Sequence, residues 1–240
     1  MRPDFTPFTC GPKPVGVQAP PYAPTYPNHP DLRVGFGQTT FDAEGLESRG
    51  PHFSRVMHWP GGASGVTIGR GYDMGHRTRL QVLTELRNAG MPEGDAEFFS
   101  KAAGLKRDDA RRFVHCNVAD APVISLPVQR RLFEYITTPE TIADIKWVLS
   151  KQDLREKYGE ITWDQLTPLA QEVVFDLRYR GDYRPDTRIR LQPLIVAGDD
   201  RGLSALLADK SYWASLGVPS GRIQARIDMT TPEREYRKAS

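Results

Sequence analysis

Long apolar runs, cysteines and a dominant charge are what this 240-residue sequence has least of. No stretch of about 18 apolar residues occurs, which excludes a transmembrane helix and predicts no membrane insertion. No positively charged start leads into an apolar core, so no Sec-type signal is visible, and export would need another route. The two cysteines, Cys10 and Cys116, allow at most one intramolecular disulfide. They make neither a disulfide framework nor a zinc site and leave the compartment open. A formal net charge of +2 supplies no field for nucleic acid or a membrane surface. His58, His76 and His115 lack metal-ligand spacing and read as structural histidines, so the expectation is no metal and no cofactor.

What is present is enough apolar residues, 39%, for one sizeable core or two small lobes. Nine of the twenty prolines fall in residues 1–31, a composition that favours extended polyproline conformations. Residues 1–33 therefore read as a Pro-rich extension lying along a folded domain at 34–240. A docking segment for delivery machinery, or the stub of a longer toxin, is the sharper alternative.

From Thr78 on the period is helical. Leu80, Leu83 and Leu86 predict a helix over 79–89 that Gly90 and Pro92 stop. Two short helices are expected at 95–103 and 107–115. A long one opens at Leu126-Pro127 and must kink or break at Pro139. Thr167-Pro168 starts a strongly buried helix through Val173, Val174 and Leu177. Further helices are expected at 191–197, 203–208 and 222–229. The predicted fold is α+β and predominantly helical, with a small hairpin lobe at about 36–78, a helical lobe at about 79–229, and a cleft between them.

The most informative stretch is Phe41 to Gly75. Gly45 is a helix-stop signal, which would leave Glu44 half-buried at a helix end, where burial raises a carboxyl pKa towards that of a general acid. Asp42 reads as the cap at that helix's start. Turn signals at Pro60-Gly61-Gly62 and Ser64-Gly65 predict a small antiparallel hairpin or meander. Its last strand, Val66 to Asp73, would put Thr67, Gly69, Gly71 and Asp73 on one face. The two glycines would leave that face open to a ligand.

Glu44-Gly45-Leu46 followed by Thr67-Ile68-Gly69-Arg70-Gly71-Tyr72 resembles the Glu-Gly-Leu and Thr-Ile-Gly-x-Gly-His/Tyr elements of phage-type lysozymes. Those muramidases place an Asp six residues before the Thr, which would fall here at Gly61. No carboxylate lies between Glu47 and Thr67. The spacing is similar instead to pesticin and related secreted muramidases, whose Asp follows the Thr. The resemblance extends over roughly 34–229, and it implies a lysozyme-like two-lobed fold without a cofactor. It implies a catalytic set of Glu44, Thr67 and Asp73. Gly69, Gly71, Tyr72 and Arg222 are the substrate-binding residues expected beside that set, and Arg222 could instead orient Glu44. The substrate would be the peptidoglycan glycan strand, cut between N-acetylmuramic acid and N-acetylglucosamine by a monomeric enzyme. The setting would be the periplasm or cell wall of a rival bacterium, with a cognate immunity protein in the producer. A phage endolysin or tail lysozyme fits the residues as well.

In that chemistry Glu44 protonates the leaving oxygen while Asp73, with Thr67, holds the attacking water, an inverting arrangement. Each residue also has a structural reading. Glu47 is the rival acid if the frame slips, Thr67 suits a strand by propensity, Asp73 could close a turn, and Arg222 could sit in a structural salt bridge. Tyr179, Tyr183, Trp59 and Tyr72 could stack on sugars or sit in the core. Five arginines between Arg178 and Arg190 read as a solvated surface or as a cleft edge meeting carboxylates. A chitin-type glycosidase, a lytic transglycosylase needing only Glu44, a non-hydrolysing peptidoglycan-binding module and a regulatory protein recruiting partners through its Pro-rich start are the other functions open to this sequence.

Overall fold

The computed structural model describes residues 29–47 and 53–231. It is mostly helical with one small antiparallel sheet, as expected from the sequence. Of the Pro-rich extension expected at 1–33, residues 1–28 lie outside the described range and Pro30–Leu32 form a short 3-10 turn.

In chain order the helices are α1 (Gln38–Ala43), α2 (Arg79–Asn88), α3 (Glu93–Ser100), α4 (Arg107–Asn117), α5 (Leu126–Leu132) and α6 (Thr138–Leu149). They continue with α7 (Gln152–Tyr158), α8 (Pro168–Arg180), α9 (Pro185–Ala197), α10 (Asp200–Ala208), α11 (Lys210–Ser215) and α12 (Ser220–Asp228). The sheet is β1 (Thr67–Ile68) paired with β2 (Tyr72–Asp73). Local chemistry sets several of these boundaries. Thr78 and Gln81 form a reciprocal capping box at the start of α2. Thr167 accepts from the Ala170 amide to start α8 behind Pro168, and Gly181 ends that helix in the left-handed region.

The described residues form two compact units, 29–34 with 44–47 and 53–137, and 35–43 with 138–231. The division differs from the lobe bounds expected at Thr78. It falls where a π-helical stretch, Phe133–Thr137, separates α5 from α6. Pro139, the second residue of α6, supplies no amide to the turn before it, and the long helix absorbs this by widening into the π-helical stretch just upstream rather than ending there. Helix α1 joins the second unit through contacts remote in sequence. Thr40 Oγ1 donates to Asp176 at 3.0 Å, and the Gly37 amide donates to Glu172 at 3.3 Å.

The first unit packs Met57, Val66, Ile68, Tyr72 and Met74 against Val82, Leu86, Phe99, Phe113 and Leu132, all at most 1% exposed. In the second unit α8 is buried on more than one stripe, since Phe175 and Asp176 join Val173, Val174 and Leu177 below 2% exposure. Asp176 survives there because it is paired. Arg226 Nε and Arg222 Nη2 reach it at 2.7 and 2.6 Å, and Arg226 also binds Asp182 at 2.6 Å. A buried charge without such partners would be untenable.

Candidate active site

The stretch expected to be one long strand is a tight hairpin. Ile68 pairs with Tyr72 and Thr67 with Asp73, leaving Gly69-Arg70-Gly71 as the loop. Gly69 and Gly71 have φ of 59° and 94°, values that an L side chain seldom tolerates. This corrects the expectation that Gly69 and Gly71 open a strand face to a ligand; their task is the turn. A Cβ on Gly69 would lie 3.3 Å from Ile124 Cδ1, so that side is already packed.

Thr67 and Asp73 still share a face, because residues directly opposite in a ladder point the same way. A third residue joins them. His58 and Thr67 exchange both backbone hydrogen bonds at 2.9 Å, which sets His58, Thr67 and Asp73 in one row. Their neighbours Met57, Val66, Ile68, Tyr72 and Met74 point the other way, into the core. Strand alternation thus corrects the assignment of Tyr72 to substrate: it is 1% exposed and its hydroxyl donates to Glu85 at 2.6 Å. His58 was dismissed as structural from sequence, where nothing reveals which strand pairs with which.

Asp73 clasps the base of the hairpin. Its carboxylate accepts the Gly65 amide at 3.1 Å to each oxygen and the Gly75 amide at 2.7 Å. Thr67 is 4% exposed, and its hydroxyl lies at hydrogen-bond limit, 3.5 Å, from the Gly65 carbonyl.

Glu44 follows the last residue of α1 and is half-buried, and the chain turns away at Gly45 as the sequence suggested. Asp42 does not cap the start of α1. It lies near the end of that helix and accepts from the Gln38 amide side chain at 2.8 Å. Gly45 is needed where it stands, since a Cβ there would come within 2.5 Å of Arg70 in the hairpin loop. Two residues on, Glu47 is a structural carboxylate. It accepts from Arg70 and Arg55 at 3.0 Å each and from Gln129 at 2.7 Å, with Ser54 at 3.2 Å. Glu47 is therefore not a competing acid. Instead it ties the Glu44-Gly45 segment to the tip of the hairpin.

Arg222 belongs to the second unit, where it is 7% exposed and committed to Asp176. A buried salt bridge takes the place of the substrate contact expected for it. The arginines between Arg178 and Arg190 are likewise spent locally, on Asp144, Asp182, Asp186 and Asp209, with Arg188 over the Tyr183 ring. Tyr183 is itself a core residue. Among the described residues no group of three or more His, Cys, Asp or Glu side chains could hold a metal ion. No helix there is long and apolar enough to cross a membrane.

A family model described as a domain of unknown function, DUF8812, matches residues 37–227. No curated protein matches the chain.

Proposed function

We propose that this chain, which belongs to the DUF8812 family of domains of unknown function, is a peptidoglycan hydrolase of the muramidase type. The observation that carries the reading is the attachment of the Glu44-Gly45 segment to the hairpin bearing Thr67 and Asp73. Gly45 packs on Arg70, and Arg70 binds Glu47, all within one compact unit. A glycosidase needs a proton donor held rigidly relative to the group that manages the attacking water, and a buried ion pair between their two segments provides such rigidity.

In this reading Glu44 protonates the glycosidic oxygen as the bond to the muramic acid carbon breaks. A water held by Asp73 and Thr67 then attacks that carbon, giving an inverted product. The disulfide at Cys116 suits a protein that works outside a reducing cytosol. The sequence's other cysteine, Cys10, lies outside the described residues. Delivery into a rival's periplasm, and an immunity protein in the producer, follow from the pesticin resemblance and belong to this proposal. Peptidoglycan strands are the partner proposed, with the enzyme acting as a monomer.

A second reading is favoured by one specific observation. The Asp73 carboxylate is engaged by two backbone amides and Thr67 is buried, so both groups expected to manage a water are committed to the hairpin. A lytic transglycosylase works with one acid, because the muramic acid 6-hydroxyl rather than water attacks the anomeric carbon. Mass spectrometry of fragments released from purified sacculi separates the two. Reducing ends 18 mass units heavier than anhydro ends support hydrolysis, anhydro ends support the transglycosylase, and no release by wild-type protein overturns both.

A further inference from the structure

The first unit carries a groove of about 460 Å³ that neither Glu44 nor the Glu47 cluster enters. Its two walls come from different parts of the chain. One is a single stripe along α4 and its C-terminal cap, Arg111, Val114, His115 and Val118, at the i, i+3, i+4, i+7 spacing that puts side chains on one helix face. The other is the segment leading into the hairpin, which contributes Phe53, Val56, Met57, His58 and Trp59.

His58 links this groove to the candidate active site, because it lines the groove and also stands in the row with Thr67 and Asp73. Its Nδ1 lies 3.2 Å from the Val56 carbonyl, which can only accept, so the neutral ring carries its proton there. Trp59 is held in place as well, its indole N–H donating to the Ser64 carbonyl at 3.2 Å. Valines and aromatic rings form the body of the groove. At its rim Arg111 and His115 are exposed, and no carboxylate is among the lining residues. Arg111 does pair with Asp108 at 3.3 Å, but both side chains are more than 60% exposed. So open a pair is weak and gives way to a better-placed anion.

An apolar, aromatic-walled groove with an arginine and an imidazole N–H donor at the rim fits a ligand that carries small alkyl groups beside a carboxylate. We propose that the groove binds the lactyl-peptide branch of muramic acid, with the methyl groups against Val56, Val114 and Trp59 and a carboxylate at Arg111 and His115. This rests on the hydrolase reading and deepens it, since it makes the enzyme selective for peptide-bearing glycan over chitin, which has no carboxylate. Adjacency through His58 places the branch beside the sugar residue whose bond is cut.

The test uses the full chain and N-acetylmuramyl-L-alanyl-D-isoglutamine, a monosaccharide with no glycosidic bond for the enzyme to cut, so binding is read separately from hydrolysis. Titration followed by NMR should shift the Trp59 indole and His115 ring resonances. Arg111→Gln combined with His115→Gln should raise the Kd about tenfold, the loss of one good charge-assisted contact, with the melting temperature unchanged. Diacetylchitobiose should leave those resonances in place. No shift at millimolar dipeptide, shifts confined to other residues, or an unchanged Kd in the double variant would each overturn the groove assignment. Sacculus hydrolysis by wild-type protein serves as the control that separates the two ideas. Hydrolysis without dipeptide binding sinks the groove alone, whereas binding without hydrolysis sinks the muramidase reading and leaves the groove standing.

Discussion

Arg70, in the loop of the hairpin, donates to Glu47 at 3.0 Å, and the two side chains are only 3% and 9% exposed. The bond joins a loop made by glycines to the segment that carries Glu44, so it decides whether the proton donor is held at the hairpin. Arg55 and Gln129 complete the Glu47 carboxylate. Because Arg55 still compensates Glu47, losing Arg70 forfeits one charge-assisted bond of the cluster, about 1.5–3 kcal/mol. Arg70→Met should lower the urea midpoint by a corresponding amount. Glu47→Gln should cost more than Arg70→Met, because it leaves both Arg55 and Arg70 buried without their carboxylate. A single Arg70→Met variant with wild-type stability would show that the pair holds nothing.

Two glycines should respond in opposite directions to the same substitution. A Cβ on Gly65 would fall 2.4 Å from Asp73 Oδ1 and from the Gly75 backbone, forcing the clasp at the hairpin base apart. Gly94, inside α3, has open space around it and no positive φ. Gly65→Ala should therefore be strongly destabilising, while Gly94→Ala should stabilise by roughly 0.5–1 kcal/mol through the helix propensity gained. Thermal melts of the two variants against wild type check both signs.

Asp73→Asn is informative only when stability is measured beside activity. The amide that replaces one oxygen would turn a donor towards the Gly65 or Gly75 N–H, and an unsatisfied buried donor costs roughly 1–3 kcal/mol. Calorimetry should show a lowered melting temperature. If the variant melts with wild-type protein and still loses sacculus clearing, Asp73 acts on the reaction and not only on the hairpin.

Burial pushes the Tyr183 hydroxyl well above its ordinary pKa of 10.0, against the smaller opposing pull of Arg188. The unfolded chain releases this proton first as pH rises, so between the two values the folded state binds more protons. Stability should be fully present below pH 10 and fall steadily above it. Tyr183→Phe should flatten that alkaline decline. It should also cost roughly 1–3 kcal/mol at neutral pH, since Gln192, 1% exposed, loses the hydroxyl it accepts at 2.7 Å. Urea unfolding repeated from pH 8 to 11 measures both effects.

Much of the secondary structure was legible because its signals are local. The helix start at Thr167-Pro168 and the Gly90 that follows α2 are readable one residue at a time. The Glu-Gly step and the Thr-Ile-Gly loop stood out for the same reason. What could not be read was pairing at a distance. Nothing near Asp176 in sequence says that it will bind Thr40, 136 residues away, and draw α1 into the second unit. The same holds for Glu47, whose Gln129 partner is 82 residues on, and for His58, whose place in the row depends on strand register. Arg222 misled for a related reason, because an arginine spaced for a substrate contact and one spaced for a buried Asp look alike until the partner is known.

The most direct test of the central claim is the rate at which purified sacculi lose turbidity with wild-type protein and with Glu44→Gln, each checked for an unchanged melting temperature. Loss of a general acid removes about 100-fold to 10,000-fold of rate, so wild-type protein should clear the suspension while the variant falls by at least about 100-fold. Clearing by Glu44→Gln at the wild-type rate would contradict the account.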